Sequence, residues 1–229
     1  MYRVEDKYLV SERELLVLQS KLSAVLKQDS NQSGGRGYTI SSVYFDDYRD
    51  SCYHDAVDGV RMRKKYRIRI YNHSFDTIKL EIKYKWNNRV MKKSRRITRE
   101  QMKLLMSGTS LPDVYECDED AMALFNLAMN KDLLRPKVIV EYERMAFVYE
   151  PGNVRITLDR NIRASRDMQQ FSEEQKWTSD ILQENDCILE VKYDEFLPGF
   201  IARILESGNM IQSSYSKYRL CREREENNL

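Results

Sequence analysis

Long stretches of the chain alternate polar and apolar residues, which is the period of a strand with one wet and one dry face. The clearest are Lys65-Tyr66-Arg67-Ile68-Arg69-Ile70-Tyr71 and Ile78-Lys79-Leu80-Glu81-Ile82-Lys83-Tyr84-Lys85, both rich in β-branched and aromatic residues. Asn72 to Asp76 supplies turn residues between them. The same reading gives strands at Tyr2 to Val10, Tyr38 to Phe45, Arg89 to Ile97, Lys137 to Tyr149, Asn153 to Asp159 and Cys187 to Tyr193. Glu150-Pro151-Gly152-Asn153 predicts a hairpin turn, and Asp46-Asp47 a polar turn. Elsewhere the spacing is helical. Ser11-Glu12-Arg13-Glu14 is a capping box ahead of an apolar stripe at Leu15, Leu18, Leu22, Val25 and Leu26. Thr98-Arg99-Glu100-Gln101 opens a second helix, reaching Gly108. Asp118 to Leu134 reads as a third, with Ala121, Leu124, Phe125 and Ala128 inward. Gly199 to Gly208 and Ser213 to Glu226 complete the set. Asp29 to Gly37 reads as a Gly/Ser connector, and residues 164–187 fit neither period. Strands outnumber helices and no βαβ alternation occurs. The expectation is an α+β fold over residues 1–229 as a single domain: an antiparallel β tunnel or barrel with a polar lumen, peripheral helices and a C-terminal helix from about 213.

Composition narrows the function classes. With 229 residues, 41% hydrophobic and 32% charged, the chain can bury a core without staples, and it is neither low-complexity nor disordered. No window nears the roughly 18–20 apolar residues of a membrane helix, and Met1 to Lys7 lacks the apolar core of a signal peptide. The expected location is cytoplasmic. Cys52, Cys117, Cys187 and Cys221 have no metal-ligand spacing and read as buried thiols. His54 and His73 are the only histidines, which argues against a histidine metal site.

A net charge of +2 conceals a strong asymmetry. Residues 61–99 hold fifteen cations, from Arg61 to Arg99, against only Asp76 and Glu81. One concentrated cationic block in a near-neutral chain points to a local polyanion. If the two basic strands face the same way, like charges lie about 5 Å apart, which is destabilising without an anion between them. Glu-x-Lys-Tyr occurs three times, at Glu5-Asp6-Lys7-Tyr8, Glu81-Ile82-Lys83-Tyr84 and Glu190-Val191-Lys192-Tyr193. On a strand, this spacing puts carboxylate and ammonium on one face and the Tyr ring on the other. A carboxylate among cations suits a divalent ion that also bridges phosphate oxygens.

An ordered set of motifs runs through nearly the whole chain: Glu5 to Tyr8, Ser42-Val43-Tyr44-Phe45-Asp46, Tyr66 to Tyr71, Leu80 to Lys83, Arg135-Pro136-Lys137, Tyr142 to Phe147, Val154 to Asp159, Leu189 to Lys192 and Tyr215 to Tyr218. In this set the chain resembles the VTC-type polyphosphate polymerase domain of the triphosphate tunnel metalloenzyme superfamily. The resemblance implies a closed antiparallel tunnel lined by Lys, Arg and Glu. It implies lumen cations at Lys7, Arg67, Arg69, Lys83, Arg144, Arg155 and Lys217, with one more from Lys92 or Lys93. Lys192 would meet phosphate directly. Tyr142 and Ser216 match phosphate-contacting hydroxyls. Glu190 matches the acid that holds Mn2+ or Mg2+, with Glu5 and Glu81 as further candidates. Ser214 departs from the family, which often has Lys there. The family's inositol-phosphate-sensing domain and membrane segments have no counterpart here.

The implied activity is ATP-dependent polyphosphate polymerisation, moving the γ-phosphoryl group of ATP onto a growing chain. Its alternatives are a tunnel-fold triphosphatase, acting on inorganic or RNA 5′-triphosphate, and a non-catalytic polyanion-binding module. ATP and polyphosphate are the expected partners, with room for a membrane-protein partner. Nucleic acid is not expected, because the aromatic residues of the basic strands alternate away from the cations. Arg67→Ala and Arg69→Ala are each expected to weaken polyanion binding without unfolding the chain.

Overall fold

The computed structural model describes residues 3–29, 37–112, 120–172, 179–180, 186–206, 210–212 and 215–227. Expectations that fall on Tyr2, most of the Gly/Ser connector, Cys117, Asp118 and Ser213-Ser214 lie outside the described residues. In chain order the elements are β1 (Arg3–Ser11), α1 (Glu12–Val25), β2 (Lys27–Gln28), β3 (Tyr38–Asp46), α2 (Ser51–Val57), β4 (Met62–Tyr71), β5 (Ser74–Trp86), β6 (Arg89–Ile97), α3 (Arg99–Met106), α4 (Ala121–Lys131), β7 (Arg135–Tyr149), β8 (Val154–Ser165), β9 (Ser179–Asp180), β10 (Asp186–Tyr193), α5 (Gly199–Leu205), β11 (Ile211–Gln212) and α6 (Lys217–Asn227).

Every pairing is antiparallel. The order β7-β3-β4-β5-β6-β1-β10-β8 closes on itself because β8 also pairs with β7. The closure is thin at one seam, where β1 and β6 share only Arg3↔Val90 and Val4↔Arg89. The period of two then sorts the side chains. Outward residues such as Tyr66, Ile68, Ile70, Ile78, Leu80 and Ile82 pack beneath α3 and α4 in one core. Val10, Leu189, Val191, Leu158 and Ile156 pack under α1 and α5 in another. The hydrophobic cores therefore lie outside the ring, which leaves its interior to the polar face of each strand. This is the expected α+β tunnel.

Both capping boxes form. Glu14 N–H donates to Ser11 Oγ at 3.3 Å and Ser11 N–H to Glu14 Oε2 at 2.8 Å. Gln101 N–H donates to Thr98 Oγ1 at 3.2 Å and Thr98 N–H to Gln101 Oε1 at 2.9 Å.

Several elements differ from the reading of the sequence. Val25 is 50% exposed: it has rotated off the stripe by the end of α1. The turn at Asp46-Asp47 leads into α2, which periodicity missed because the helix has only two turns. Asp46 is fully buried and accepts hydrogen bonds from the backbone N–H groups of Asp47, Cys52 and Tyr53. The last helix starts at Lys217 rather than near 213, with Ser216 Oγ accepting from Arg219 N–H at 3.1 Å. Cys52, Cys187 and Cys221 are buried and not joined in disulfides. Among the described residues no helix is long and apolar enough to cross a membrane.

Candidate functional site

The β4–β5 register sets the first wall. Lys65 faces Lys83, Arg67 faces Glu81 and Arg69 faces Lys79, and on the far side of β5 Lys83 faces Lys92. The basic faces thus coincide, and like charges sit opposite one another as expected. Glu81 relieves part of this repulsion. Its fully buried carboxylate accepts from Arg67 Nε and Lys92 Nζ, each at 2.7 Å. Burial alone would push Glu81 up, yet Arg67, Arg69 and Lys92 outweigh it and hold the carboxyl well below the usual range. Glu81 is therefore a buttress under these cations, and it is not among the residues that line the cavity. The choice between Lys92 and Lys93 also resolves: Lys92 lines the cavity, whereas Lys93 pairs with Ile82 and shares its outward parity. Arg67→Ala removes the guanidinium closest to Glu81, at 2.6 Å, so loss of binding there is entangled with loss of stability; Arg69, 3.9 Å from Glu81, gives the cleaner variant.

The second wall joins two of the Glu-x-Lys-Tyr repeats in register. Lys7 lies opposite Glu190 and Glu5 opposite Lys192 across β1 and β10, giving a checkerboard of two acids and two amines. The third repeat reaches in through Lys83 Nζ, which donates to both Glu5 oxygens at 2.7 and 2.8 Å. Lys7 Nζ stands 3.3 Å from Glu5 and 3.9 Å from Glu190, and Lys192 pairs with Glu190. Tyr8, Tyr84 and Tyr193 point away from this lumen, as the spacing predicts. Burial favours the neutral forms of Glu5 and Glu190, but the surrounding lysines keep both carboxyls well below their ordinary values.

The third wall is built from β7, β8 and the start of α6. Asp159 is fully buried and takes Arg144 in a bidentate pair at 2.6 and 2.7 Å, with Lys217 Nζ at 2.5 Å. Four hydroxyls in the lumen each accept from a cation: Tyr142 from Arg69, Tyr44 from Arg67, Tyr38 from Arg155 and Ser216 from Lys65. A hydroxyl whose oxygen is engaged by a cation keeps its own proton to donate, and an anion is the natural acceptor. Burial raises the Tyr142 phenol, but Arg144, Arg69 and Lys217 bring it below the ordinary tyrosine value.

These walls enclose a cavity of about 600 Å3. Of the residues named from the sequence, Lys7, Arg67, Arg69, Lys83, Lys92, Arg144, Arg155, Lys192 and Lys217 line it, with Tyr142, Ser216, Glu5 and Glu190. Lys65, Lys79, Tyr38, Tyr44 and Tyr71, to which the sequence assigned no individual site role, also line it. Lys65 and Lys79 were legible as members of the alternating faces. Asp159 lay inside a quoted motif without a role. The tyrosines correct the argument from aromatic placement, since Tyr66 and Tyr84 turn outward but Tyr71 does not.

Crowded amines make proton binding part of anion binding. Burial lowers Lys83 to about 7, with Lys7 and Lys192 adding to it against Glu5. Burial also takes Lys65 well below its ordinary value, helped by Lys7, Lys83 and Arg63. The unfolded chain holds the Lys83 proton up to about 10.5, so the empty protein gains stability as pH rises from about 7 towards 10.5. A bound polyanion restores the charged form. Tripolyphosphate binding at pH 8 is expected to take up protons and to weaken as pH rises. Calorimetry in two buffers of different ionisation heat checks this; identical heats would refute it. The same crowding predicts that tripolyphosphate raises the melting temperature, by less as salt increases. A flat thermal scan at low salt would remove the basis for an anion site.

The donor set fits a divalent ion only in company. Among the described residues no group of three or more His, Cys, Asp or Glu could hold a metal alone. Glu190 and Glu5 both reach the lumen, however, and the Thr157 hydroxyl opposite Glu190 on β8 is buried without a hydrogen-bond partner. A hard ion held by one or two carboxylates and completed by phosphate oxygens matches these residues.

A profile of the VTC domain matches residues 2–224. The chain belongs to the VTC domain family. This VTC domain also resembles two solved structures in fold. One is a protein of Bacillus halodurans described as a candidate adenylate cyclase, 16% identical, with a TM-score of 0.51 over 83% of this chain and 79% of that one. The other is the PH1819 protein of Pyrococcus horikoshii OT3, also 16% identical with a TM-score of 0.51, over 97% of this chain and 99% of that one. At that identity the likeness concerns the fold alone. No curated protein matches the VTC domain described here in sequence.

Proposed function

We propose that this VTC domain transfers the γ-phosphoryl group of ATP to the end of an inorganic polyphosphate chain. The observation that carries the reading is the charge state of the lumen. Cations stand on every wall, joined by the hydroxyls of Tyr38, Tyr44, Tyr142 and Ser216, while the two carboxylates among the described lining residues, Glu5 and Glu190, are both paired with lysines. Neither histidine lines the cavity. Such a site lacks a free base, and this reaction needs none, because a terminal phosphate oxygen is already ionised at neutral pH.

In the transfer, that oxygen forms a bond to the γ-phosphorus as the bond from phosphorus to the β–γ bridging oxygen breaks, and ADP leaves with the electron pair. Arg69, Arg144 and Arg155 hold non-bridging oxygens, and Arg67 does so from its seat on Glu81. Lys7, Lys83, Lys92, Lys192 and Lys217 offset the charge of both phosphate segments. Tyr142 and Ser216 donate hydrogen bonds that fix the chain's register. Catalysis is then alignment and electrostatic stabilisation of a loose transition state. A divalent ion, Mn2+ or Mg2+, held by Glu190 and Glu5 would neutralise the leaving diphosphate.

The test is incubation with γ-labelled ATP and Mn2+ or Mg2+, with the products resolved on a gel. A ladder of long phosphate chains supports the reading. Release of orthophosphate alone would make the domain a triphosphatase, and binding with no turnover a polyanion-binding module.

A further inference from the structure

The motifs Ser42 to Asp46 and Arg135 to Lys137 each end in a residue that does not line the cavity. Both of these residues belong to one junction behind the third wall. Asp46 is fully buried, and among the described residues it has no ion pair. Its charge is met by the backbone N–H groups of Asp47, Cys52 and Tyr53 and by the Tyr218 hydroxyl. Cys52 and Tyr53 lie in the first turn of α2, where a carboxylate satisfies backbone donors. That duty does not need the phenol. Tyr218 belongs to α6, and its hydroxyl reaches Asp46 at 2.5 Å. Burial and Asp46 raise the Tyr218 phenol above its ordinary value, so it keeps its proton and donates.

A second contact lies one turn further along α6. Arg222 donates to both oxygens of Asp50, each at 3.0 Å, and to the Tyr218 oxygen at 3.1 Å. Lys137 Nζ pairs with Asp50 at 2.9 Å. Asp50 has a φ of 55°, a left-handed backbone that costs a non-glycine residue energy and is held here by Arg222 and Lys137. Asp46 and Asp50 thus grip Tyr218 and Arg222, which share one face of α6. Two anchors a turn apart fix the height and the rotation of a helix. Rotation matters because successive residues step about 100° round the axis. With Tyr218 held by Asp46, Lys217 meets Asp159 in the third wall, and Ser216 just before it accepts from Lys65 at 2.5 Å. The Tyr218 ring also stacks on Tyr44, with centroids 5.1 Å apart.

We infer that Asp46 is a positioning residue of the anion site: through the Tyr218 hydroxyl it sets the start of α6 so that Ser216 and Lys217 meet bound phosphate. Asp46 itself touches no ligand. This role rests on the phosphate-binding reading of the lumen above.

The experiment measures tripolyphosphate affinity by calorimetry, introducing Tyr218→Phe into wild type, into Lys217→Ala and into Arg69→Ala. Phenylalanine keeps the ring on Tyr44 and removes only the hydroxyl that Asp46 holds. The expected result is a loss of about tenfold in wild type and in Arg69→Ala, but of no more than about twofold in Lys217→Ala, where the group being positioned is already gone. A merely structural loss would be the same in all three backgrounds. Asp46→Asn, which replaces the oxygen that takes the phenol proton by an amide nitrogen, should follow the same pattern. A thermal scan checks that each variant folds, and if Tyr218→Phe does not, Asp46→Asn is judged by the same outcomes. Unchanged affinity, or equal losses in all three backgrounds, would overturn the positioning role and leave the anion site standing. Wild type that binds no tripolyphosphate overturns the anion site, and the role of Asp46 falls with it.

Discussion

Glu190→Gln is expected to lower polymer synthesis by at least about a hundredfold while leaving tripolyphosphate affinity unchanged or higher. Glu190 is only 4% exposed and faces Lys7, Lys192 and Arg144. The amide keeps the size of the side chain but removes the anionic oxygen that a hard ion prefers. It also deletes a negative charge from a site meant for polyanions, so ground-state attraction does not fall. Loss of rate without loss of binding marks an interaction needed mainly in the transition state. The check is a rate assay with Mn2+ beside calorimetry with tripolyphosphate. Wild-type synthesis by the variant would refute the role of Glu190 and leave Glu5 as the remaining carboxylate of the cavity.

Asp159→Ala is expected to cost about 3–5 kcal/mol of stability, the usual penalty for stranding buried charges. Asp159 is fully buried, and its removal leaves Arg144 and Lys217 facing each other with no acid between them. For a chain of this size that is a fall of roughly 10 °C in melting temperature. Saturating polyphosphate should recover part of the loss, since phosphate oxygens supply the missing negative charge. A thermal scan with and without polyphosphate reads both effects. A fall within about 2 °C would show that the pair contributes little. A full fall with no recovery would show that Arg144 and Lys217 do not face the bound anion.

The strands and their faces were legible because a period of two is a local property. Lys65 to Tyr71 and Ile78 to Lys85 announce which side is wet without reference to any partner. The capping boxes at Ser11 and Thr98 are local in the same way: cap and helix lie within four residues. The limits of such reading show at α2. That helix is held by the Asp46 carboxylate and by Tyr218, whose hydroxyl donates to Asp46 at 2.5 Å from 172 residues away. No window of sequence contains both groups. Lys92 and Lys93 are adjacent and chemically identical in sequence, so only the register with β5 separates them.

The sequence by itself determined that the protein has a cationic face on antiparallel strands, cores on the opposite face, and three Glu-x-Lys-Tyr repeats aimed one way. Only the tertiary structure decided what each acid does. Glu81 became a buttress because register sets it opposite Arg67 and one diagonal step from Lys92, whose ammonium it accepts, whereas Glu5 and Glu190 stayed in the lumen because β1 and β10 pair repeat against repeat. Asp159 gained its role from Lys217, which chain order places 58 positions later and ring closure brings to 2.5 Å. The physical reason is that facing is set along one strand, but partnership is set by which strands meet and in what register, and in a closed ring that depends on every strand at once.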